Sequence, residues 1–330
     1  MTGSGDIVIH PSLWQQAQSD GAPGIPNFAP MLAGVKERVS AADYSICHDE
    51  TQFNDPAGPI TTFPHYYVHP NLAKGIAATG FNECSMASNW TFDKGLDGIR
   101  RTNAALSKAG VNHAGSAGSP AHADRFVVRD VNSVKFAHMS YTDPDDSPGI
   151  RGSEWAINRQ APAQIAADAK AARAAGAQIV VVSLAMGTMG DANTGAAQRK
   201  AVQTITAGGD VDFIIGHGSH TIQPAQLVNN TWVVWHGNLM SAFFDDQLRM
   251  HEGLLSWVKF TEQPGGRFKA TTVRGYPVLD VSSPGRVIDL AAQSCTSMPA
   301  RWQTAYEATL STEATAIKAG FELMKPCSGK

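Results

Sequence analysis

Short apolar runs alternate with helical segments along most of this chain, and that alternation restricts the fold more than any other feature. The Ala-rich segment APAQIAADAKAARAAGA predicts a helix, and the run QIVVVSLAMG directly after it predicts a buried strand. The segment GAAQRKAVQTITAGG and the run VDFIIG repeat the same order. Strands that alternate with helices are typical of layered α/β proteins, so we predict an α/β fold with mostly buried strands.

Polar residues collect where the predicted strands end, which is where open α/β sheets place their sites. The run VDFIIGHGSHTIQ presents His217 and His220, and a buried strand has little structural need for either imidazole. The other strand ends carry Asp6 with His10, His48 with Glu50, Asn89 with Asp93, and His236 with Asn238. In the first two of these pairs, the two-residue period of a strand puts both residues on the same face.

These side chains suit two kinds of chemistry. Carboxylate, amide and imidazole groups hold divalent cations, and histidines also act as general acids and bases because their pKa lies near 7. Each also has an ordinary structural explanation: His10 as a hydrogen-bonding residue at a strand end, Asn89 as a turn former, Asp93 as a solvated loop acid. Their repetition at successive strand ends favours one shared polar site.

Charge and composition restrict the classes of partner and the compartment expected for this protein. With 26 basic and 29 acidic residues the formal net charge is -3, so we expect no nucleic-acid partner and no anionic membrane surface. No run of eighteen apolar residues is present. The start MTGSGDIVIHPSL lacks the pattern of a signal peptide, so we expect a cytoplasmic protein. The cysteines lack CxxC spacing and are predicted to be free thiols in a reducing compartment: Cys47, Cys84, Cys295 and Cys327.

The ordered motifs GDIVIH, HDE, ASNWTFDKG, VVVSLAMG, GGDVDFIIGHGSHTIQ and WHGNLM resemble the bacterial capsule and poly-γ-glutamate biosynthesis proteins of the CapA type. The resemblance covers about residues 5–245, and its most specific block is residues 208–223. It implies a calcineurin-like metallophosphoesterase fold, a four-layer αββα sandwich of two mixed β-sheets flanked by helices. It also implies a metal centre. The residues that match the family's ligand positions are Asp6, Glu50, Asn89, His217 and His220.

This chain departs from the family pattern at several motif positions. Trp90 and Ala185 stand where the family has histidines, and Ser219 stands where it has a proline. His48 and His236 are additional imidazoles nearby. With two imidazoles lost, the remaining ligands are largely oxygen, which predicts one hard divalent cation, Ca²⁺ with Mn²⁺ or Mg²⁺ as alternatives.

One cation surrounded by several histidines suits proton abstraction beside a carbonyl. The resemblance extends to CapA-like peptide epimerases that invert the Cα of the C-terminal residue of a lasso-peptide precursor, which implies a peptide substrate. His10, His48 and His236 are then the acid/base candidates, with Asp6 or Asp49 as orienting partners. The alternatives are a metal-dependent hydrolase of phosphoesters or amides, and a peptide-binding protein that has lost catalysis.

Aromatic residues near the motifs have two possible roles. Trp90, Phe92 and Trp235 either line a cleft for a peptide side chain or pack in the core.

We expect the chain to divide into a metallophosphoesterase-fold domain over residues 1–298 and a helical extension over residues 299–330. The extension carries a rough apolar stripe that predicts packing against the body of the protein. The stripe comprises Trp302, Tyr306, Leu310, Ile317 and Phe321.

Overall fold

Two mixed β-sheets lie face to face with helices on their outer sides, which confirms the predicted four-layer architecture. The computed structural model describes residues 1–143, 151–159, 161–242 and 247–327. Over these residues, sheet A has the strand order β14-β13-β12-β1-β2-β3-β4, with β11 paired to β1 and β15 to β13. Sheet B has the order β5-β6-β7-β8-β10-β9.

The strands are β1 Thr2–Ile7, β2 Ser45–Asp49, β3 Glu83–Ser85, β4 Asn112–Ala114, β5 Val127–Val131, β6 Val134–Thr142, β7 Ile179–Ala185, β8 Phe213–His217, β9 Ile222–Val228, β10 Thr231–His236, β11 Asn238–Met240, β12 Glu252–Glu262, β13 Phe268–Ser282, β14 Gly285–Asp289 and β15 Glu322–Leu323. The α-helices are α1 Pro11–Ser19, α2 Lys36–Ser40, α3 Asn71–Thr79, α4 Gly95–Lys108, α5 Pro162–Ala174, α6 Ala196–Thr206, α7 Ala300–Thr312 and α8 Ala314–Lys318.

Successive side chains along each strand point to opposite faces of its sheet, and this alternation sets which residues meet between the sheets. On β8, Phe213 and Ile215 lie in the core between the sheets, whereas Ile214 packs beneath α5 and α6. On β2, Ile46 points inward and Cys47 outward, beneath the helices that cover sheet A. His217 therefore continues the inner row of β8, because it lies two residues after Ile215.

The structure corrects the boundaries at both ends of the chain. β1 ends at Ile7, so the prediction that Asp6 and His10 share one strand face is wrong. His10 is instead the residue that precedes α1, whose first position is Pro11. The C-terminal extension is two helices separated at Glu313, followed by β15, which pairs with β13. Residues 328–330 of the predicted extension lie outside the described residues.

The free-thiol prediction is also wrong. Cys47 and Cys84 are register partners on the parallel strands β2 and β3, and the structure joins them as a disulfide. Cys295 and Cys327 form a second disulfide that links the segment after β14 to the end of the described chain. The cysteines therefore give no support to a reducing compartment. Within the described residues, every helix is too short or too polar to traverse a bilayer.

A buried carboxyl group connects the C-terminal extension to sheet B. Glu313 lies between α7 and α8 with no exposed surface, and its Oε2 accepts a hydrogen bond of 2.9 Å from the backbone N–H of Ala225. Ala225 belongs to β9, the edge strand of sheet B. Glu313 therefore accepts a hydrogen bond from a backbone N–H group that lies at the edge of the sheet, where no further strand follows in the described strand order. Burial raises the pKa of Glu313 to about 8.

This raised pKa predicts that stability depends on pH. Between the ordinary glutamate pKa and about 8, the folded state binds one more proton at Glu313 than the unfolded state. The free energy of unfolding should therefore fall as the pH rises through that window. Glu313→Gln keeps the acceptor for Ala225 and removes the titration, so it should stabilise the protein at pH 9 by on the order of 2 kcal/mol and have little effect at pH 5.

Urea unfolding of both proteins at the two pH values measures this difference. Glu322→Gln is the matched control, because the Glu322 side chain is 51% exposed and pairs with Arg274 at the surface. Its effect should stay within about 0.5 kcal/mol at either pH. An equal effect of Glu313→Gln at pH 5 and pH 9 would contradict the prediction.

Candidate metal centre

The inner rows of the two sheets bring acidic and imidazole side chains together at one end of the sandwich. Asp6 lies near the end of β1, His48 near the end of β2, and His217 at the end of β8. Glu50 directly follows β2, and His220 lies in the turn between β8 and β9. Each of the five is at most 7% exposed, so their mutual contacts form in a medium that water screens weakly.

Asp6 is the centre of this cluster. Its Oδ1 lies 2.8 Å from His217 Nδ1, and its Oδ2 lies 3.2 Å from His220 Nδ1. The two oxygens of one carboxylate thus serve two different imidazoles. Asp6 is in register with His48 on β2 and with Asn238 on β11, so pairing on both sides of β1 fixes its position.

Two sets of three ligands meet at Asp6. In each set, one ligand atom from every residue lies within 4.8 Å of the others, a spacing that allows a shared cation. The first set comprises Asp6, His48 and His217, and the second comprises Asp6, Glu50 and His220. The His48 and His217 rings stack with centroids 3.9 Å apart, which brings His48 into the first set.

Several buried polar atoms of the cluster have no hydrogen-bond partner, and this supports a metal centre. Within the described part of the chain, three buried atoms here form no hydrogen bond: His48 Nε2, Glu50 Oε2 and His217 Nε2. Buried polar atoms are nearly always paired, so a group of unpaired ones needs an explanation. Carboxylate oxygens and imidazole nitrogens together are the donors that divalent first-row cations and Mg²⁺ use. The residues therefore fit a divalent cation.

Groups outside the two sets orient the histidine rings. Ser85 Oγ lies 2.7 Å from His48 Nδ1, and Asn238 Oδ1 lies 3.0 Å from His220 Nδ1. Such partners fix ring orientation and tautomer in metal sites. His220 has φ of 56°, an uncommon value for a non-glycine residue, and its contacts with Asp6 and Asn238 hold it there.

The pKa values of the two histidines in the GHGSH segment shift in opposite directions. Burial and the neighbouring His48 lower the pKa of His217 to about 3, so its imidazole is neutral. Burial also opposes charge on His220, but the charge of Glu50 and the hydrogen bond to Asp6 outweigh it and raise the pKa of His220 to about 10. Hydrogen bonds from both imidazoles overcome burial and hold the pKa of Asp6 below its usual range. Binding of a cation at His220 would therefore release a proton.

Two other predicted catalytic residues lie beside the cluster without joining either set. The His236 ring lies behind His217 with centroids 6.1 Å apart, and its Nε2 is 2.8 Å from Ser256 Oγ on β12. Burial lowers the pKa of His236 to about 4. His10 lies four residues after Asp6, and its Nε2 is 3.3 Å from the Tyr66 hydroxyl. Burial and the charge of His220 lower the pKa of His10 to about 4.

Asp49 and Asn89 differ from the rest in their positions. Asp49 follows His48 on β2 and therefore points to the opposite face of sheet A, where its Oδ1 accepts from the backbone N–H and hydroxyl of Thr51 at 3.2 Å. Asn89 is half-buried in the loop after β3. Its neighbour Ser88 donates to the Glu50 carbonyl at 3.3 Å, so this loop adjoins the cluster. The role of Asn89 as a ligand stays a prediction.

Several contributors were not identified from the sequence as site residues. Tyr66, Ser85 and Ser256 lie in segments where no spacing points to the cluster, and only the folded chain brings them to its histidines. Of the aromatic candidates, Trp235 is 1% exposed in the core beneath α5 and α6, and Phe92 packs against a small apolar cluster. Trp90 alone of these three contacts Tyr66, with ring centroids 5.2 Å apart.

The sequence profile of the family described as bacterial capsule synthesis protein PGA_cap matches residues 1–242, nearly three quarters of the chain. The chain belongs to this family. The matched range contains every residue of both ligand sets, which places the cluster inside the family's own domain.

Relatives in the PGA_cap family are distant. The chain is 24% identical over 217 residues to the PGA biosynthesis protein CapA of Bacillus subtilis, an alignment that covers 63% of this chain and 55% of that protein. It is also 24% identical over 163 residues to the capsule biosynthesis protein CapA of Bacillus anthracis, which covers 48% and 39%. The chain thus spans about half the length of the curated relatives it matches, or less.

Solved structures agree on the fold. The calcineurin-like phosphoesterase YfkN of Bacillus subtilis superposes with a TM-score of 0.51 at 13% identity, covering 96% of this chain and 98% of that one. The 5'-nucleotidase precursor of Thermus thermophilus superposes with a TM-score of 0.54 at 16% identity, covering 97% and 59%. These similarities confirm the calcineurin-like fold expected from the sequence.

Proposed function

We propose that this PGA_cap protein is a metal-dependent phosphoester hydrolase whose centre holds two divalent cations. The observation that carries the proposal is the position of Asp6, which belongs to both ligand sets and gives one carboxylate oxygen to His217 and the other to His220. A carboxylate shared between two sets could hold two cations, which would stabilise the charge that develops in a phosphoryl displacement.

The missing imidazoles at Trp90 and Ala185 predict a single cation, whereas the two ligand sets favour two. His48 offers a replacement nitrogen, because it stacks on His217 and shares a ligand set with it and Asp6. A role for His48 as ligand then takes precedence over its predicted role as acid or base.

Bound cations would supply charge neutralisation and Lewis-acid activation at the phosphoryl group. The side chains of this protein supply the ligands and determine where the cations would lie. Asp6, Glu50 and the three histidines of the two sets would hold the cations. The contact of Asn238 Oδ1 with His220 Nδ1 orients His220 Nε2 towards Glu50, 3.9 Å from its Oε2. Beside them, the Tyr66 hydroxyl and His10 Nε2 form a pair that can exchange a proton with a leaving group.

The same His10–Tyr66 pair favours a second candidate, peptide epimerisation. Both groups carry or accept protons, lie next to the cluster and belong to neither ligand set. Inversion at a peptide Cα needs such groups beside a cation that stabilises the enolate. Under this alternative the substrate is a peptide, and one cation among Asp6, Glu50 and His220 is sufficient.

The deciding experiment measures both reactions on one preparation. The chelated protein is reloaded with Mn²⁺, Mg²⁺, Ca²⁺ or Zn²⁺ and assayed for p-nitrophenol release from mono- and bis-p-nitrophenyl phosphate. We expect turnover that requires an added cation and that Asp6→Asn lacks. If no cation supports ester hydrolysis while peptides in heavy water take up deuterium at Cα, the hydrolase is rejected and the epimerase takes its place.

A further inference from the structure

Three aromatic rings form a continuous ledge from the cluster to the surface. Tyr66 meets Trp90 edge-to-face with ring centroids 5.2 Å apart, and Trp90 meets Phe63 edge-to-face at 6.2 Å. At its inner end, the Tyr66 ring meets the His10 ring edge-to-face at 5.6 Å. We call Phe63, Trp90 and Tyr66 the aromatic ledge.

Exposure rises steadily along the aromatic ledge. Tyr66 is 1% exposed, Trp90 is half-buried, and Phe63 is 67% exposed. An isolated exposed apolar side chain needs no explanation, but this one is the outer end of a row of rings that leads to a polar cluster. Apolar surface that converges on a few polar groups is the usual form of a small-molecule site.

The ledge is held in place by hydrogen bonds between two loops. Asp93, in the Trp90 loop, accepts a hydrogen bond of 2.8 Å from the backbone N–H of Tyr66 and lies 3.5 Å from His65 Nδ1. Gln52 Oε1 accepts from the backbone N–H of Lys94 at 2.7 Å, which ties the same loop to the segment after β2. Rings fixed before binding lose little freedom when a ligand arrives.

The inner end of the ledge adjoins the acidic part of the cluster. The backbone N–H of Trp90 donates to Ser88 Oγ at 3.2 Å, and the Ser88 hydroxyl donates to the Glu50 carbonyl at 3.3 Å, so the Trp90 loop adjoins the segment that carries Glu50. A substrate whose phosphoryl group lies at the cluster would therefore extend its remaining part along the rings. Aromatic rings meet other rings face-to-edge or offset, so a planar group gains more from them than a bulky alkyl group of similar size.

We propose that the aromatic ledge is the subsite for a planar aromatic leaving group of the substrate, which makes aryl or arylmethyl phosphoesters the preferred class. This inference rests on the proposed hydrolase function. Phe63 and Trp90 determine specificity and do not touch the reacting atoms, so their loss changes which ester is used more than how fast a poor ester reacts.

The test compares benzyl phosphate with cyclohexylmethyl phosphate, two esters of similar size and leaving-group basicity, of which only the first is planar. In Mn²⁺, the native protein should favour benzyl phosphate in kcat/KM by about fivefold. Phe63→Ala should remove most of that preference, because it should lower kcat/KM for benzyl phosphate more than kcat/KM for the cyclohexylmethyl ester. Leu227→Ala, at an apolar side chain 47% exposed on β9, is the matched surface control and should keep the preference.

A binding measurement separates failure of this inference from failure of the proposed function. Calorimetry with benzylphosphonate and cyclohexylmethylphosphonate needs no turnover. If the native protein binds the benzyl compound more tightly and Phe63→Ala does not, the ledge stands even when neither ester is hydrolysed. If both esters are hydrolysed equally well and both phosphonates bind equally, the hydrolase stands and the ledge is rejected. Phe63 is exposed, so its replacement should not compromise folding.

Discussion

Asp6→Asn is expected to abolish cation binding and hydrolysis while the protein stays folded. Asp6 belongs to both ligand sets, so the substitution weakens both at once and replaces a charged ligand by a neutral one. Loss of a group that merely orients a ligand typically costs 10–100-fold in metal affinity or activity, and loss of a shared ligand should exceed about 100-fold. The amide has nearly the same shape as the carboxylate, and this favours retention of the buried packing around β1.

Thermal and urea unfolding provide the readout that activity cannot. Mn²⁺ at about 100 times its dissociation constant should raise the free energy of unfolding of the native protein by about 2.7 kcal/mol for each cation bound. The same addition should leave Asp6→Asn unchanged. The variant also removes the Asp6 charge that stabilises the buried His220 imidazolium, so its metal-free form should be less stable at neutral pH than the native metal-free form.

Asp49→Asn is the matched control for this experiment. Asp49 is equally buried and only one residue from His48, but it points to the other face of sheet A and bonds to Thr51. Burial raises the pKa of Asp49 to about 7, so an amide there removes a charge that burial disfavours. The variant should keep cation binding and turnover. Loss of turnover in a folded, cation-binding Asp49→Asn protein would restore the predicted catalytic role of Asp49 and contradict our assignment.

Regular spacing accounts for most of what the sequence predicted correctly about the site. His48 lies on β2 and Glu50 directly after it, with His48 Nε2 3.6 Å from Glu50 Oε1, and the strand VDFIIGH brings His217 onto the inner face behind Phe213 and Ile215. Parallel strands end at the same edge of a sheet, so polar residues that follow them converge. The predicted layers follow from the same reasoning, because each strand–helix pair must cover an apolar face.

Long-range contacts account for what the sequence did not predict. The stacking of His48 on His217 depends on how two different sheets are placed, and no local period encodes that distance. The disulfide between Cys47 and Cys84 depends on register across β2 and β3, which a separation of 37 residues does not reveal. Tyr66 lies in a segment without regular structure, so its approach to His10 had no signal in the pattern.

His48→Gln is expected to lower the bound cations from two per chain to one. The substitution removes a nitrogen from the set of Asp6, His48 and His217, and it leaves Asp6, Glu50 and His220 intact. Elemental analysis of the Mn²⁺-loaded protein, after removal of free metal, measures the stoichiometry directly. Hydrolysis should fall at least about 100-fold in parallel, because a single cation would supply less of the charge stabilisation that the displacement needs.

His236→Gln is the comparison that gives the His48 result its meaning. His236 also stacks on His217 and is fully buried, but it bonds to Ser256 and belongs to neither ligand set. The His236→Gln protein should therefore still bind two cations. If the native protein binds a single cation and His48→Gln still binds that one, His48 is not a ligand. The cation would then lie among Asp6, Glu50 and His220, and His48 would return to the acid/base role that an epimerase requires.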